Sequence, residues 1–384
     1  MRFLHTGDWH VGRTIRGRSR LEEFATCLDA VVDVARDEGV DAVLLSGDIY
    51  DQHSVSPESD RMIFDTLLRF NALDVAVIAV PGNHDSAPRL EAFAPLLERV
   101  GTRVVVKPLR PAEGGIVTIG SRDGSETALV ACVPFVSPRR FSSATEVFED
   151  MATGYVNFDD NMGKLLAAYA REFRGDAVNI VLGHMFISGA QPGGSEREIT
   201  IGSEFAVSPS RLPATAAYVA LGHIHKAQRV EGASGQARYC GSLLQLDFGE
   251  RGQDKSVVVV EVSASKPART KEVPIDGGRR LLRLDATLDE LDSLGQSVGD
   301  AYLRVDLALP GPVPGIADIV RAKLPNALDI RLVLPSGGDG APSQSLRGLA
   351  PRDQFSSYYL SAHGTELPEH LSDAFDKVYE DVTA

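Results

Sequence analysis

Five short apolar runs in this chain each lead directly into a polar cluster, and this pattern restricts the fold more than any other feature. The runs are largely aliphatic and bounded by glycine or proline, so they predict buried strands. The clusters after them are Asp8-Trp9-His10, Gly47-Asp48-Ile49-Tyr50-Asp51, Gly82-Asn83-His84-Asp85, Gly183-His184 and Gly222-His223-Ile224-His225. In layered α/β proteins the carboxyl ends of strands meet where ligands bind, so distant residues can form one site.

Composition indicates an ordinary globular chain of several units. Its 384 residues, 43% of them hydrophobic and 24% charged, are enough for a large core and one or two smaller units. No apolar run approaches the roughly 20 residues needed to cross a bilayer, and the N-terminus lacks a signal-peptide pattern. We therefore expect a cytoplasmic protein without a membrane anchor. Cys27, Cys132 and Cys240 lie in apolar segments, which favours reduced core thiols.

The net charge of −14 argues against a general polyanion-binding surface, because non-specific nucleic-acid affinity comes mainly from lysine and arginine. It does not exclude a nucleic-acid substrate. Divalent cations would add positive charge locally, and the arginines at 13, 16, 18 and 20 could hold a phosphate backbone. A solvated loop is the other interpretation of that arginine run, and both stay open.

The pattern of helices and strands predicts a layered fold. Apolar residues recur at helical spacing over 21–38, 57–70 and 88–100, between the first strands. Further strands are expected at 104–106, 116–119, 128–133, 177–182 and 256–262. Two stacked sheets with helices outside, a four-layer α/β/β/α sandwich, accommodate this order.

Four segments follow from the breaks in this pattern. Residues 1–276 form the main domain, because a glycine and proline break follows at 273–278. Residues 277–335 predict a small β-α-β capping unit, and 336–350 read as a linker from their glycine, proline and serine content. Two amphipathic helices are expected within 351–384. Their apolar residues are too few to make a core, so they require something to pack on.

The clusters supply ligands for a pair of divalent metals. A hydrolytic two-metal site uses mixed oxygen and imidazole ligands and a carboxylate that bridges both ions. Asp8 and His10 can bind one ion with Asp48 as the bridge. Asn83, His184 and one imidazole of His223 or His225 complete the second ion.

The ordered pattern D-x-H, G-D-x-x-D, G-N-H-D, G-H and G-H-x-H resembles that of the calcineurin-like metallophosphoesterases, without a substitution. Within that superfamily, segments 1–12, 239–242 and 248–250 are similar to the SbcD family of bacterial nuclease subunits. That resemblance covers nearly the whole chain, including the small unit and the terminal helices.

The resemblance implies a role for each site residue. One manganese ion is held by Asp8, His10, Asp48 and His225, and the other by Asp48, Asn83, His184 and His223. His84 is left to orient the phosphate and protonate the leaving oxygen. Asp51 is expected to pair with His84 and raise its pKa.

The function implied by the resemblance is a manganese-dependent DNA nuclease, a double-strand exonuclease and single-strand endonuclease active in repair, recombination and replication. Its partner is an SbcC-type ATPase that contacts the C-terminal helices, and helices near 57–70 and 88–100 form a homodimer within a heterotetramer. A cytoplasmic, nucleoid-associated protein is expected. Two alternatives stay open: a phosphodiesterase for a small substrate such as a cyclic nucleotide, and a metal-bound scaffold without turnover. The appended unit and helices count against the first, and intact His84 and Asp51 against the second.

Three further residues have weaker functional interpretations. His53 could approach the scissile phosphate, but an exposed loop histidine is the simpler interpretation. His5 on the first strand is expected to be a hydrogen-bonded structural residue. Trp9 is expected to pack beneath the metal loop rather than to stack on a base.

Overall fold

The computed structural model of the chain describes residues 1–136, 158–196, 205–264, 266–311, 313–333, 351–363 and 365–383. The predicted linker at 336–350 lies outside these described residues. Residues 1–333 make one compact unit and residues 334–384 a second.

A six-stranded sheet carries the first three clusters. Its strands are β1 (Arg2–Thr6), β4 (Ala42–Leu45), β5 (Ala76–Ala79), β6 (Thr102–Val104), β15 (Ser256–Ser263) and β16 (Lys266–Pro274), in the spatial order β16-β15-β1-β4-β5-β6. The strands β1, β4, β5 and β6 run parallel, while β15 and β16 extend the sheet in antiparallel fashion. Parallel neighbours need crossover connections, and helices supply them.

A second six-stranded sheet carries the two histidine clusters. Its strands are β7 (Ile116–Gly120), β8 (Thr127–Val133), β9 (Val178–His184), β12 (Tyr218–Gly222), β13 (Gln228–Arg229) and β14 (Ala237–Tyr239), in the order β13-β14-β12-β9-β8-β7. The central strands β14, β12, β9 and β8 are parallel. The two histidine clusters therefore reach the same edge of this sheet.

The two sheets stack face to face, and their strands are aliphatic on both faces because both faces are buried. Phe3 and Leu44 of the first sheet share one core cluster with Val130, Ile180 and Leu182 of the second. The outer face of the first sheet packs against α1 (Leu21–Asp37), α2 (Pro57–Ala72) and α3 (Ala87–Glu98), and that of the second against α4 (Phe158–Ala170). The predicted four-layer α/β/β/α sandwich is confirmed.

A small parallel sheet follows the sandwich. It consists of β17 (Leu281–Ala286), β18 (Tyr302–Ala308) and β19 (Ala327–Val333), with α5 (Leu291–Ser297) and α6 (Ile316–Lys323) as crossovers. The unit has its own apolar cluster, which includes Leu291, Val305 and Val320. The sequence predicted one β-α-β turn here and missed β17, so the unit is larger than expected. Its boundaries at 277 and 335 stay predictions.

Arginines of the run at 13–20 connect this small sheet to the sandwich through ion pairs and contacts with an aromatic ring. Arg16 forms ion pairs with Asp329 at 3.2 Å and Asp247 at 3.4 Å. Arg20 is buried against Glu23, and the guanidinium groups of Arg18 and Arg20 lie over the Tyr302 ring. Only Arg20 is withdrawn from solvent, while Arg16 and Arg18 are exposed, so both interpretations of the run stay open for these two residues.

The remaining elements are short or terminal. Short strands are β2 (Thr14–Ile15), β3 (Arg18–Ser19), β10 (Phe186–Ile187) and β11 (Ala206–Val207), and single 3₁₀ turns cover Pro111–Glu113, Pro209–Arg211, Phe248–Glu250 and Leu288–Glu290. The second unit contains α7 (Pro351–His363) and α8 (Glu369–Thr383), joined by stacking of Phe355 on Phe375 with ring centroids 4.6 Å apart. No helix among the described residues is long and apolar enough to span a membrane.

Candidate metal centre

The candidate site lies where the carboxyl ends of strands from both sheets meet. Asp8 and His10 follow β1, Asp48 follows β4, and Asn83 and His84 follow β5. His184 ends β9, and His223 and His225 follow β12. The loops after β1 and β4 are joined by main-chain hydrogen bonds, from Asp8 N to Gly47 O and from His10 N to Asp48 O, both 2.9 Å. All seven predicted metal ligands and His84 thus reach one region.

Four of these residues have backbone conformations that non-glycine residues rarely adopt. Asp8, His10 and Asp48 have φ values of 48–49°, and His223 has 105°. Such conformations cost about 1–3 kcal/mol each and persist only where the surroundings enforce them. Their concentration at one point of the fold indicates that side-chain direction here is determined by function.

Two glycines permit the close approach of the loops. Gly47 has φ of 91°, and a Cβ atom there would overlap the His184 ring at Nδ1. A Cβ atom on Gly82 would overlap both the carboxylate and the main-chain nitrogen of Asp48. Only glycine fits at these positions, because the displaced atoms include backbone and a buried carboxylate.

The first group of donor atoms comprises Asp8, His10, Asp48 and His225, whose ligand atoms all lie within 4.8 Å of one another. The Nε2 atoms of His10 and His225 are 3.0 Å apart, and His10 Nε2 is 3.4 Å from Asp48 Oδ2. The Asp8 carboxylate also accepts the main-chain N–H of His223 at 2.9 Å.

The second group comprises Asn83, His184 and His223, of which His184 approaches the same Asp48 oxygen. Asn83 Oδ1 lies 3.1 Å from His184 Nε2 and 2.9 Å from His223 Nδ1. Asp48 Oδ2 is 3.5 Å from His184 Nε2, so this one oxygen lies between the two groups. His184 Nδ1 donates to the main-chain carbonyl of Ser46 at 2.8 Å, which leaves its Nε2 directed to the site.

Burial and neighbouring charges shift the pKa values of the carboxylates and imidazoles in this cluster. Burial raises the pKa of Asp8 to about 8, and the neighbouring Asp48 adds to that rise. Burial also lowers the pKa of His10 to about 4 and that of His184 below its ordinary value. Burial opposes ionisation of Asp48, but His184, His10 and His84 around it keep its pKa below the usual range. A divalent cation binds neutral imidazoles and ionised carboxylates, so His10 and His184 are in the state that a cation requires, whereas Asp8 loses its proton when a cation binds.

The donor set fits divalent metal ions. Two imidazole nitrogens that face each other at 3.0 Å need a shared proton or cation between them, and a second imidazole pair shares the Asn83 oxygen. Mixed carboxylate, amide and imidazole donors suit borderline transition metals. Asp8, His10, Asp48 and His225 would hold one ion, and Asp48, Asn83, His184 and His223 the other.

His84 contacts the main chain of Asp51. Its Nδ1 atom lies 2.6 Å from the main-chain carbonyl of Asp51, which orients the ring. The Asp51 carboxylate instead lies 3.1 Å from Arg13 Nη1 and 3.5 Å from His10 Nδ1. An oxygen of the Asp51 carboxylate also lies within 4.8 Å of a His84 ring nitrogen, so the predicted pairing of Asp51 with His84 stays a prediction.

Asp85 lies in the loop after β5, and no role for it was predicted from the sequence. Its carboxylate accepts main-chain N–H groups of Ile49 at 3.2 Å, Tyr50 at 2.9 Å and Gly82 at 2.9 Å. It therefore joins the loop that carries Asp48 to the loop that carries Asn83. The G-N-H-D motif contains this signal, because a buried aspartate beside a tight turn commonly accepts main-chain hydrogen bonds.

Glu250, Ser195 and Glu196 surround His225, and no role was predicted for them either. His225 Nδ1 lies 3.0 Å from Glu250 Oε1 and 2.7 Å from Ser195 Oγ, and the His225 N–H donates to Glu196 Oε1 at 2.9 Å. Burial alone would lower the pKa of His225, but Glu250 and Asp8 raise it to about 9.

The other singled-out residues behave as expected. His5 is buried and its Nδ1 lies 2.9 Å from the Tyr218 hydroxyl, and Trp9 is buried in the core with Nε1 donating to Thr6 Oγ1 at 2.8 Å. His53 is exposed. All three cysteines are buried free thiols.

Comparison with known proteins agrees with this geometry. The model of the calcineurin-like phosphoesterase family matches residues 1–227, which include every proposed metal ligand. This chain belongs to that family. It is 29% identical over 375 residues to the SbcD subunit of the SbcCD nuclease of Bacillus subtilis, covering 96% of this chain and 95% of that protein. It is 30% identical over 354 residues to the Rhodobacter capsulatus counterpart, with 86% of each covered, and 31% identical over 281 residues to that of Escherichia coli K12, with 69% and 66% covered.

The family and the donor set together define the chemical class. Residues 1–227 match a family of phosphoesterases, and the described residues include a buried metal-binding group. The chain is therefore an enzyme, a metal-dependent phosphoester hydrolase. The prediction that it resembles the SbcD family is confirmed by relatives that match over most of its length.

Proposed function

We propose that this protein is a manganese-dependent DNA nuclease that acts on phosphodiester bonds with two metal ions. The observation that carries the proposal is the position of Asp48 Oδ2, which lies 3.4 Å from His10 Nε2 and 3.5 Å from His184 Nε2. One carboxylate oxygen between two imidazole groups is the arrangement that a pair of bridged ions requires. Similarity to nuclease subunits over 96% of the chain supports DNA as the substrate.

In this proposal the bound ions supply Lewis-acid stabilisation of the phosphoryl oxygens and a nucleophile at neutral pH. The protein positions them with seven side chains: Asp8, His10, Asp48, Asn83, His184, His223 and His225. His84 donates a proton from Nε2 to the leaving oxygen, while its Nδ1–H donates to the Asp51 carbonyl and fixes the ring. Asp51 supports the site through His10 and Arg13.

The proposed partner is an SbcC-type ATPase, because the relatives are named as one component of the SbcCD nuclease. Helices α7 and α8 are the proposed contact. Tyr358 is 63% exposed and Leu360 is 50% exposed on α7. Amphipathic helices with such anchors commonly dock in a partner's groove.

We propose that a second copy of the chain contacts the outer face of α2 and α3. Leu68 on α2 is 47% exposed and Leu96 on α3 is 63% exposed, and a groove of about 730 Å³ runs between α1 and α2. Exposed large apolar residues that cluster on one surface mark protein contacts. We propose a homodimer within a heterotetramer, in the cytoplasm and associated with the nucleoid.

The proposal is tested with purified protein, manganese and end-labelled duplex and single-stranded DNA, with and without the ATPase partner. A small chromogenic phosphodiester and a cyclic nucleotide are assayed in parallel. Partner-stimulated degradation of DNA is expected. Turnover of the cyclic nucleotide without any DNA cleavage would identify a small-molecule phosphodiesterase, and metal binding without turnover of any substrate would identify a scaffold.

A further inference from the structure

His225 and His184 differ in the group that contacts the ring nitrogen facing away from the site. Its Nε2 atom faces the site, 3.0 Å from His10 Nε2, while its Nδ1 atom lies 3.0 Å from Glu250 Oε1. His184 has a neutral main-chain carbonyl in the corresponding place, that of Ser46. A carboxylate makes the imidazole more basic and holds it in the tautomer whose Nε2 is free to bind a metal.

Hydrogen bonds to both carboxylate oxygens hold Glu250 in place. The residue is fully buried, and its Oε2 atom accepts from Lys255 Nζ at 2.6 Å and from Leu246 N at 3.1 Å. The Ser195 hydroxyl donates to Oε1. Removing a carboxylate from water is unfavourable unless such bonds offset it, so the burial of Glu250 indicates a role beyond filling space.

The main chain at His225 is held as well. Glu196 Oε1 accepts the His225 N–H at 2.9 Å, and the Glu196 carboxylate also accepts from Gly193 N at 2.6 Å and Gly194 N at 2.8 Å. Lys255 Nζ donates to the His225 carbonyl at 3.1 Å. The ring can therefore neither rotate nor shift without breaking several bonds.

We propose that Glu250 is a positioning residue for metal binding: it fixes the Nδ1–H tautomer of His225 and thereby raises affinity at the Asp8–His10–Asp48–His225 site selectively. The inference rests on the proposed two-metal function. The second ion, held by Asn83, His184 and His223, is expected to be nearly unaffected, because the imidazole that Glu250 contacts is that of His225.

The test is manganese titration of Glu250→Gln by calorimetry and electron paramagnetic resonance, with no substrate present. One of two binding events should weaken by about 10–100-fold, the usual effect of losing such a partner, and the other by less than about twofold. Glu272→Gln is the matched control, because Glu272 pairs with Arg238 away from the site. Unchanged affinity at both sites, or equal loss at both, would overturn the proposal.

Further variants separate a loss of metal binding from a loss of folding stability. Glu250→Gln removes the carboxylate partner of the Lys255 ammonium, which also donates to the His225 carbonyl. The double variant with Lys255→Met should show the same selective loss with a preserved melting temperature, and Lys255→Met alone should not show it. Ser195→Ala keeps the carboxylate and should weaken binding by no more than about threefold. A loss as large as that of Glu250→Gln would overturn the proposal by showing that the hydroxyl positions the ring. Wild-type protein that binds no manganese would refute the proposed function itself.

Discussion

The two halves of the metal site are built by different means. On the first sheet, the main chain aims the ligands: Asp8, His10 and Asp48 all adopt left-handed backbone conformations in turns that directly follow strands. On the second sheet, only His223 has such a backbone conformation, and hydrogen bonds to the far ring nitrogen direct His184 and His225, through the Ser46 carbonyl and the Glu250 carboxylate. Local sequence encodes the first half, whereas the second half depends on residues remote in the chain.

This difference has a consequence for mutation. Side chains in strained turns tolerate little change around them, because the backbone already stores energy at those positions. Imidazoles held by a hydrogen bond lose affinity gradually as their partners are altered. Substitution of a ligand on the first sheet should therefore remove metal and activity together. Substitution of a residue that holds His184 or His225 should weaken the binding of one ion.

Asp48→Ala is expected to have the largest effect. The substitution removes the carboxylate oxygen that lies between both donor groups, so bound manganese should fall from about two per chain to below one. Nuclease activity should fall below detection. Metal content is measured by elemental analysis of the dialysed protein, and Asp289→Ala at an exposed position of the small sheet unit is the control. Two retained ions would show that Asp48 is not the bridge.

His84→Gln should lower turnover by about 10²–10⁴ while both ions remain bound, because a general acid contributes on that scale and His84 is not a proposed ligand. Single-turnover kinetics and metal content measure the two quantities separately. His53→Gln, at an exposed histidine, is the matched control and should change little. If His84→Gln loses metal, His84 is a ligand and the assignment is wrong.

Asp51→Asn should have a smaller effect, about tenfold on activity, because its carboxylate supports the site through His10 and Arg13. His84 is oriented by the main-chain carbonyl of Asp51, which the substitution leaves in place. The pH–rate profile should keep its shape. A shift of the limb that reports His84 would show that the carboxylate has the role predicted from the sequence.

Truncation after Asp339 should have the smallest effect on the metal centre. Residues 1–333 form a compact unit, so manganese binding and hydrolysis of a small phosphodiester should be nearly unchanged. Co-purification with the ATPase partner and ATP-dependent digestion of duplex DNA should be lost. The full-length double variant Tyr358→Asp and Leu360→Asp should reproduce that loss without changing the melting temperature. A truncated chain with lower thermal stability that still binds the partner would show that the helices belong to the body.

The sequence predicted the layers and the converging strand ends because both depend on local apolar periodicity and on the position of each cluster. It missed β17, where arginine and aspartate interrupt a short run beside the predicted boundary. Glu250 was unpredictable for a different reason, because it lies in a 3₁₀ turn and its partner His225 is 25 residues away. The orientation of the Asp51 carboxylate depends on Arg13 and His10, whose positions only the folded loops define.

An anomalous difference map from crystals grown with manganese tests the two-metal centre most directly. We predict two peaks about 3.5–4 Å apart, the usual spacing of a bridged pair. One should lie against Asp8, His10 and His225, the other against Asn83, His184 and His223, with Asp48 contacting both. A single peak, or two peaks without Asp48 between them, would contradict a bridged two-metal centre.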